Sequence, residues 1–107
     1  MKKLAQFIKV LGDANRLAII HAIGKSSRSV TEIIKETGLS QTLVSFHLRT
    51  MREKGIVTTR RDGPFIFYSL TASELYDLIG EISRAAGFDN AITRATPSLK
   101  IVNRNRG

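Results

Sequence analysis

The sequence predicts a mainly α-helical fold with one β-hairpin. Three observations predict it: apolar residues recur at helical spacing between glycines, two short helical segments flank a tight turn, and two strand-like runs flank an Asp-Gly-Pro turn. The chain has 107 residues, 42% hydrophobic and 24% charged, which suits one globular domain. We assign residues 1–87 to this domain. Residues 88–107 lack hydrophobic periodicity and are expected to form a basic, flexible tail.

Two helices are predicted before residue 25. The first is amphipathic, and the apolar residues of its buried face are Leu4, Phe7, Ile8 and Leu11. Gly12 ends it, and Asp13 is a good N-cap for the second. Residues 14–23 are apolar on almost every side, so the second helix is expected to lie in the core.

Two short helices joined by a tight turn follow. Ser29 and Glu32 form a capping box that begins one helix, which ends at Gly38. Ser40 caps the next helix, residues 41–54. The connection between them is only Thr-Gly-Leu-Ser, which is typical of a helix-turn-helix.

A hairpin and a last helix complete the domain. Residues 56–61 and 65–70 are rich in β-branched and aromatic residues, and Asp62-Gly63-Pro64 is the turn between them. Thr71 and Glu74 predict a second capping box, and Gly87 closes the helix that it begins. This order of elements predicts a winged helix-turn-helix with an added dimerisation helix at each end.

The charge is strongly basic and unevenly distributed. The formal net charge is +8, which favours polyanionic partners such as nucleic acid. Residues 40–61 hold five basic side chains and one acidic, whereas residues 62–88 hold one basic and four acidic. One surface is therefore expected to bind an anion and another to serve a different purpose.

Other classes of function are excluded by composition. The chain has no cysteine, so disulfides, thiolate metal sites and cysteine nucleophiles cannot form. No apolar run is long enough to span a membrane, and the first residues lack the pattern of a secretory signal. We expect a cytoplasmic protein with no cofactor and no metal site, and no phosphate-binding loop or nucleophile–base pair suggests an enzyme.

The second helix of the helix-turn-helix carries the candidate DNA-binding face. Val44, Leu48 and Met51 form its buried stripe. The candidate DNA-binding residues on this helix are Ser40, Gln41, Thr42, Ser45, Phe46, His47, Arg49 and Arg52. Glutamine can bond adenine, arginine can bond guanine, and hydroxyls can bond bases or phosphates. The alternative is an ordinary solvated helix face. For His47 in particular, packing with a hydrogen bond is an alternative to a phosphate contact.

Two arginines at the hairpin complete the predicted DNA surface. Arg60 and Arg61 precede the turn and are expected to contact the DNA backbone or the minor groove. The alternative is that they only add solubility on an exposed strand.

The terminal helices carry more apolar surface than one small core needs. The predicted dimer-interface residues are Leu4, Phe7, Ile8 and Leu11 in the first helix and Leu75, Leu78, Ile79 and Ile82 in the last. A symmetric homodimer would bury them and would bind a palindromic operator in double-stranded DNA. The alternative is that both stripes pack only on their own protomer.

Several segments resemble the ArsR/SmtB repressors. Residues 11–17, Leu-Gly-Asp-Ala-Asn-Arg-Leu, are similar to the family's "L-[AG]-D-x-x-R-L" segment. Residues 39–48, Leu-Ser-Gln-Thr-Leu-Val-Ser-Phe-His-Leu, resemble its "L-S-Q-x-x-V-S-x-H-L" recognition segment. Residues 52–57, 60–63 and 68–70 are similar to its hairpin signature. The resemblance, over about residues 4–87, implies a homodimeric transcriptional repressor that leaves its operator when a signal arrives.

This chain departs from the family pattern at its metal-binding positions. Ser29, Thr31, Glu32 and Ile33 stand where the family's cysteine-containing metal motif lies, and the last helix has no histidine. The family's two common metal sites are therefore not expected here. Phe46 and Pro64 also replace residues that are often polar or basic, and Phe46 could meet a thymine methyl group.

Two other functions stay open, as do several details. A winged-helix protein-interaction module and a non-specific DNA-binding protein are the alternatives to a sequence-specific repressor. The sequence leaves undetermined the effector, the target genes, whether the protein represses or activates, and the role of the basic tail.

Overall fold

A computed structural model describes residues 1–88, so the predicted flexible tail, residues 88–107, lies almost wholly outside the described residues. The described residues divide into two units, Met1–Tyr76 and the part of the second unit that the structure describes, residues 77–88. The elements in chain order are α1 Lys2–Leu11, α2 Ala14–Ile23, β1 Arg28–Ser29, α3 Val30–Thr37, α4 Gln41–Glu53, β2 Val57–Asp62, β3 Phe65–Leu70 and α5 Glu74–Ala85. The fold is mainly helical with a small sheet, as the sequence predicts.

Three predicted N-caps form. The Asp13 carboxylate accepts a hydrogen bond from the backbone N–H of Arg16 at 3.0 Å. At the start of α3, the backbone N–H of Ser29 donates to Glu32 Oε1 at 2.9 Å, and Ser29 Oγ accepts from the backbone N–H of Glu32 at 3.2 Å. Ser40 Oγ accepts from the backbone N–H of Leu43 at 3.1 Å. These bonds satisfy N–H groups that helix starts otherwise leave unpaired.

Helices α2, α3 and α4 pack together and form the core. The fully buried side chains of this core are Ile19, Ile20, Ile23, Ile33, Val44, Leu48 and Met51. Four of the five residues 19–23 at the end of α2 are buried, all but His21, which explains why this helix is apolar on almost every side. The predicted buried stripe of α4 is confirmed.

The end of α4 fixes where the hairpin begins. Gly55 has a φ of 76°, and its N–H donates to the carbonyl of Arg52 at 3.0 Å. The N–H of Ile56 donates to the carbonyl of Met51 at 2.8 Å. This pair of bonds is a Schellman motif, which reverses the chain out of the helix through a glycine in the left-handed region. The following strand is thereby attached directly to α4.

The sheet has three antiparallel strands in the order β1-β3-β2. The hairpin of β2 and β3 is the predicted one, with β2 displaced by one residue from the predicted range. β1 was not predicted, because its two residues are too few for any periodic signal. Arg28 and Ser29 pair with Tyr68 and Phe67, and Ser27 Oγ lies 2.7 Å from Ser69 Oγ.

α5 begins two residues later than the predicted capping box requires. With Thr71 as the N-cap, Ala72 would be the first helical residue, whereas the helix begins at Glu74. The N–H of Leu75 donates to the carbonyl of Ala72, three residues back, at 3.0 Å. The chain thus enters α5 through a tighter 3₁₀-type turn, and the predicted capping box is wrong. Among residues 1–88, no helix is long and apolar enough to cross a membrane.

Candidate nucleic-acid interface

The solvent-facing side of α4 carries the polar residues that the sequence assigned to DNA. Thr42, Ser45 and Arg49 are exposed on the side opposite the fully buried Val44, and Gln41 is exposed nearer the edge of this face. The buried stripe against α2 and α3 fixes the rotation of the helix, so these four side chains project outward together. Mid-sized donors and acceptors on one rigid helix face are suited to the edges of base pairs in a major groove.

The first turn of α4 offers hydrogen-bond donors to an anion. Ser40 Oγ already accepts the N–H of Leu43, but its hydroxyl proton is still available for a phosphate oxygen. Gln41 and Thr42 occupy the positions where backbone N–H groups have no acceptor inside the helix. The exposed side chain of Arg52 adds a cation in the last turn of the same helix.

Arg49 is held by a neighbour that sequence reasoning did not assign to it. Its Nε lies 3.6 Å from Glu53 Oε2, one turn further along α4, and the two side chains are 82% and 66% exposed. An exposed pair at this spacing contributes at most about 1 kcal/mol. The carboxylate therefore restrains the guanidinium on the outer face without preventing it from reaching another acceptor.

His47 is packed and hydrogen-bonded rather than presented to solvent. It is 6% exposed, and its Nδ1 lies 3.3 Å from Arg16 Nη1. The Nε of Arg16 also donates to the carbonyl of Val10 at the end of α1, so one guanidinium joins α1 to α4. The structure thus favours the packed interpretation of this side chain. Local spacing cannot identify Arg16 as the partner of His47, because 31 residues separate the two.

Phe46 is the large apolar residue on the outer face of α4. It is 59% exposed, although a ring of this size is usually buried in a monomer. Its ring meets the His47 ring edge-on, with centroids 5.2 Å apart and an interplanar angle of 71°. The packed histidine therefore restricts the orientation of the exposed phenylalanine.

The two arginines of the hairpin lie on opposite faces of it. Arg60 is opposite Phe67 in the register and Arg61 is opposite Ile66, and successive residues of a strand alternate between faces. The guanidinium of Arg60 lies 5.0 Å from the centre of the Phe67 ring. Arg61 Nη1 lies 3.4 Å from the carbonyl of Gly63 in the turn. The sequence placed both at one site, and the strand geometry separates them.

The residues predicted for a dimer interface divide into two groups. Three are already buried in the single chain, namely Leu11, Leu75 and Ile79 at 8%, 9% and 7% exposed. Five are exposed, namely Leu4 at 48%, Phe7 at 39%, Ile8 at 53%, Leu78 at 50% and Ile82 at 63%. The first group already packs within its own protomer, as the alternative interpretation expects. The five side chains of the second group have apolar surface that can still contact another molecule.

The positions that correspond to the family's thiolate site serve a structural purpose. Ser29 and Glu32 are engaged with each other in the capping box of α3, and Ile33 is fully buried. Within residues 1–88, no three histidine, aspartate or glutamate side chains are close enough together to hold a metal ion.

The fold and this surface define a winged helix-turn-helix with an outward-facing second helix, the architecture of DNA-binding transcription regulators. Comparison with known proteins agrees. The sequence profile of the family described as "Bacterial regulatory protein, arsR family" matches residues 13–59. The chain is 34% identical over 87 residues to a probable mercury resistance operon repressor of Streptomyces lividans, across 81% of this chain and 69% of that protein.

Two further relatives extend the comparison. The transcriptional activator HlyU of Vibrio cholerae is 30% identical over 82 residues, across 77% of this chain and 76% of that protein. The solution structure of a homodimeric winged helix-turn-helix domain from Mycobacterium bovis superimposes with a TM-score of 0.69 at 26% identity, and 80% of each chain is covered. The chain belongs to the arsR family of bacterial regulatory proteins and is a DNA-binding transcription regulator, not an enzyme.

Proposed function

We propose that this regulator is a homodimeric, sequence-specific repressor that binds a palindromic operator through α4 and the hairpin. The observation that supports the proposal most is the outer face of α4, where Thr42, Ser45 and Arg49 are exposed opposite a fully buried stripe and Gln41 is exposed beside them. Gln41, Thr42, Ser45 and Arg49 would contact base edges in the major groove. The guanidinium groups of Arg52, Arg60 and Arg61 would hold phosphates, since phosphate contacts orient a protein on DNA.

His47 takes a different role in this proposal. Its burial and its contact with Arg16 support a positioning function for the ring, which orients α4 and the Phe46 side chain. The ring itself would not touch DNA. Ser40 would cap α4 and at the same time donate its hydroxyl proton to a phosphate at the helix N-terminus.

We propose that a second copy of the chain covers the exposed apolar side chains of α1 and α5. Five large apolar residues of α1 and α5 are 39% or more exposed, and the M. bovis relative is homodimeric. A two-fold axis would place two copies of α4 about 34 Å apart, which is one turn of B-DNA, and would make the operator palindromic.

The proposed repressor does not sense metals through the sites that the ArsR/SmtB resemblance would suggest. The chain has no cysteine, and the hydroxyl of Ser29 is committed to capping α3. Hydroxyl oxygens are poor ligands for soft metals. We expect neither zinc nor arsenite to release the protein from its operator.

Selection of bound duplexes from a random DNA library, followed by fluorescence anisotropy with the selected site, tests the proposal. We expect Arg49→Ala to weaken binding by about 1–3 kcal/mol and to relax the preference at one base pair in each half-site. Lys2→Ala, which removes the same charge from the exposed start of α1, is the matched control and should bind like the wild type.

Three outcomes contradict the proposal in different ways. Equal affinity for the selected and a scrambled duplex would indicate a non-specific DNA-binding protein. The absence of any duplex binding would favour a protein-interaction module. Lower transcription from the selected site in cells lacking the protein would indicate an activator, the function named for the V. cholerae relative.

A further inference from the structure

The tip of the hairpin is apolar and exposed, which is unusual for a turn that extends into solvent. Gly63 has a φ of 63° and makes the turn, and Pro64 follows it in an exposed position. Phe65 is 59% exposed and Ile66 is 36% exposed. Scattered surface hydrophobics need no explanation, but here three apolar residues follow one another along the chain at the end of the hairpin, so that both of its faces are apolar there. We call residues 64–66 the apolar tip.

Each face of the hairpin carries one arginine close to the apolar tip. Directly opposite residues in an antiparallel pair share a face, so Arg61 and Ile66 are on one face and Arg60 and Phe67 are on the other. Phe65 is on the same face as Phe67, and their ring centroids are 6.4 Å apart. The Arg60 guanidinium stacks on Phe67 at 5.0 Å. Arg61 therefore lies directly across the strands from Ile66, and Arg60 lies two residues further from the turn than the residue opposite Phe65, on the face of Phe65.

We propose that the apolar tip is a wedge that enters the minor groove of duplex DNA, partly unstacks a base step and bends the duplex. This inference rests on the proposed function and adds to it a mode of recognition. Minor-groove wedges in other proteins are made of phenylalanine, isoleucine, leucine, methionine or proline, with cations beside them that neutralise phosphates. Pro64, Phe65 and Ile66 are of these types, and Arg60 and Arg61 are the adjacent cations.

The attachment of the hairpin favours DNA as the occupant. The Schellman motif at Gly55 joins β2 to the end of α4, and the N–H of Thr71 donates to the carbonyl of Ile56 at 3.0 Å at the base of the hairpin. A duplex that lies against the outer face of α4 therefore has the hairpin held beside it. The net charge of +8 and the two arginines complement a polyanion rather than an apolar protein surface.

Asp62 is the one negative charge at the tip. Its Oδ2 lies 3.9 Å from Arg60 Nη1, and the two side chains are 74% and 59% exposed. Such an exposed pair is weak, so phosphates can compete for the guanidinium. The carboxylate should nevertheless repel the DNA backbone, and we expect Asp62→Asn to tighten duplex binding by a few-fold at low salt, roughly the effect of one surface charge.

The test uses the full chain and the duplex selected in the experiment above. 2-Aminopurine placed at successive steps of the duplex reports unstacking, and fluorescence resonance energy transfer between dyes on the two ends reports bending. With the wild type we expect a rise in 2-aminopurine fluorescence at one step in each half-site and a bend within the range of about 20–90°. Phe65→Ala should lose both signals and weaken binding roughly 5- to 100-fold, the loss expected for one stacked base.

Matched variants separate a wedge from other roles of the ring. Phe88→Ala removes another exposed ring, 62% exposed, and should change neither signal. Phe65→Leu should retain the bend because an aliphatic wedge also works. Phe65→Arg adds a positive charge and should lose the bend. Because Phe65 is mostly exposed, these variants are expected to keep the wild-type unfolding midpoint, which circular dichroism checks.

The following results would overturn the inference. A straight duplex with no unstacking when the wild type is bound would refute the wedge and leave the proposed function intact. A Phe65→Arg variant that binds more tightly and bends DNA as well as the wild type would reduce the tip to an electrostatic contact. A tip that instead binds vesicles of phosphatidylglycerol in a Phe65-dependent way, with the duplex unbent, would identify a lipid as the occupant. The absence of duplex binding by the wild type would contradict the proposed function itself.

Discussion

Asp13 connects a single hydrogen bond to the pH dependence of stability. The backbone N–H of Arg16 donates to its carboxylate and holds the pKa of Asp13 below its ordinary value; partial burial opposes this, and the Arg16 guanidinium adds to it. A carboxylate with a lower pKa in the folded state stabilises that state at a pH above the unfolded pKa. This stabilisation is lost as the pH falls through the folded pKa.

Two substitutions of Asp13 test this account. Asp13→Ala should lower the free energy of unfolding by about 1 kcal/mol at neutral pH, the usual cost of a lost N-cap. Asp13→Asn keeps a capping oxygen without a titrating charge, so its deficit relative to the wild type should shrink as the pH falls below about 4. Urea unfolding at one protein concentration measures both. A deficit for Asp13→Asn that does not change with pH would contradict the assignment.

The exposed Phe46 ring predicts a preference for thymine, which can be measured by removing the methyl group of the base. An exposed ring on the outer face of α4 is suited to the methyl group of thymine, which only apolar side chains recognise in the major groove. Replacing thymine by uracil at one position in each half-site should weaken wild-type binding roughly 15-fold, since it removes two buried methyl groups worth about 0.8 kcal/mol each. Phe46→Ala should bind the two duplexes equally. Equal binding of the two duplexes by the wild type would exclude this contact.

At the residue scale, local bonds could be predicted and distant ones could not. The caps at Asp13, Ser29 and Ser40 follow from short spacings in the sequence, because donor and acceptor lie three residues apart. The contact of Arg16 with His47 depends on the packing of α2 against α4. No local pattern encodes that packing, so the sequence suggested a packed histidine but not its partner.

Among the helices and strands, hydrophobic periodicity predicted the helices and the hairpin. The strand geometry then separated the two arginines that had been assigned to one DNA surface. The buried stripe of α4 follows from the 3.6-residue repeat, so its outer face was predictable. The two-residue repeat of a strand places the neighbouring side chains of Arg60 and Arg61 on opposite faces of the hairpin. β1 has only two residues and is defined by its pairing with β3, so it carries no signal of its own.

The exposed apolar face of α1 can be tested as a dimer interface. Leu4 and Ile8 are about half exposed on one side of the helix, and Gln6 lies on the opposite side. If a second copy covers this face, Leu4→Glu with Ile8→Glu should convert a dimer into a monomer, because buried unpaired carboxylates are strongly disfavoured. Sedimentation equilibrium should change from twice the chain mass of 11.9 kDa to that mass.

The control for the α1 face is Gln6→Glu, which adds a carboxylate to the same helix outside the apolar side. It should leave the dimer intact. A wild-type protein that sediments as a monomer at all concentrations, or a double variant that remains a dimer, would show that α1 is not the interface.

For the molecule as a whole, the uneven distribution of charge supports the binding of DNA by one of its surfaces. The net charge is +8, and the segment that includes α4 and most of β2 holds five basic side chains against one acidic. After the hairpin, α5 carries Glu74, Asp77 and Glu81 against Arg84 alone, in keeping with a separate purpose for this helix. Neither the effector nor the target genes are encoded in a local pattern, since both depend on molecules outside the chain.

The salt dependence of operator binding reports directly on whether the basic surface of α4 and the hairpin binds duplex DNA. Each phosphate neutralised by lysine or arginine releases counterions, so the logarithm of the binding constant falls linearly with the logarithm of the salt concentration. A dimer that holds about six to eight phosphates should give a slope of about −5 to −7 in fluorescence anisotropy titrations of the selected duplex. Arg52→Ala should make the slope less steep by about two, one phosphate contact for each protomer. A slope near zero for the wild type would contradict the claim that this basic surface binds duplex DNA.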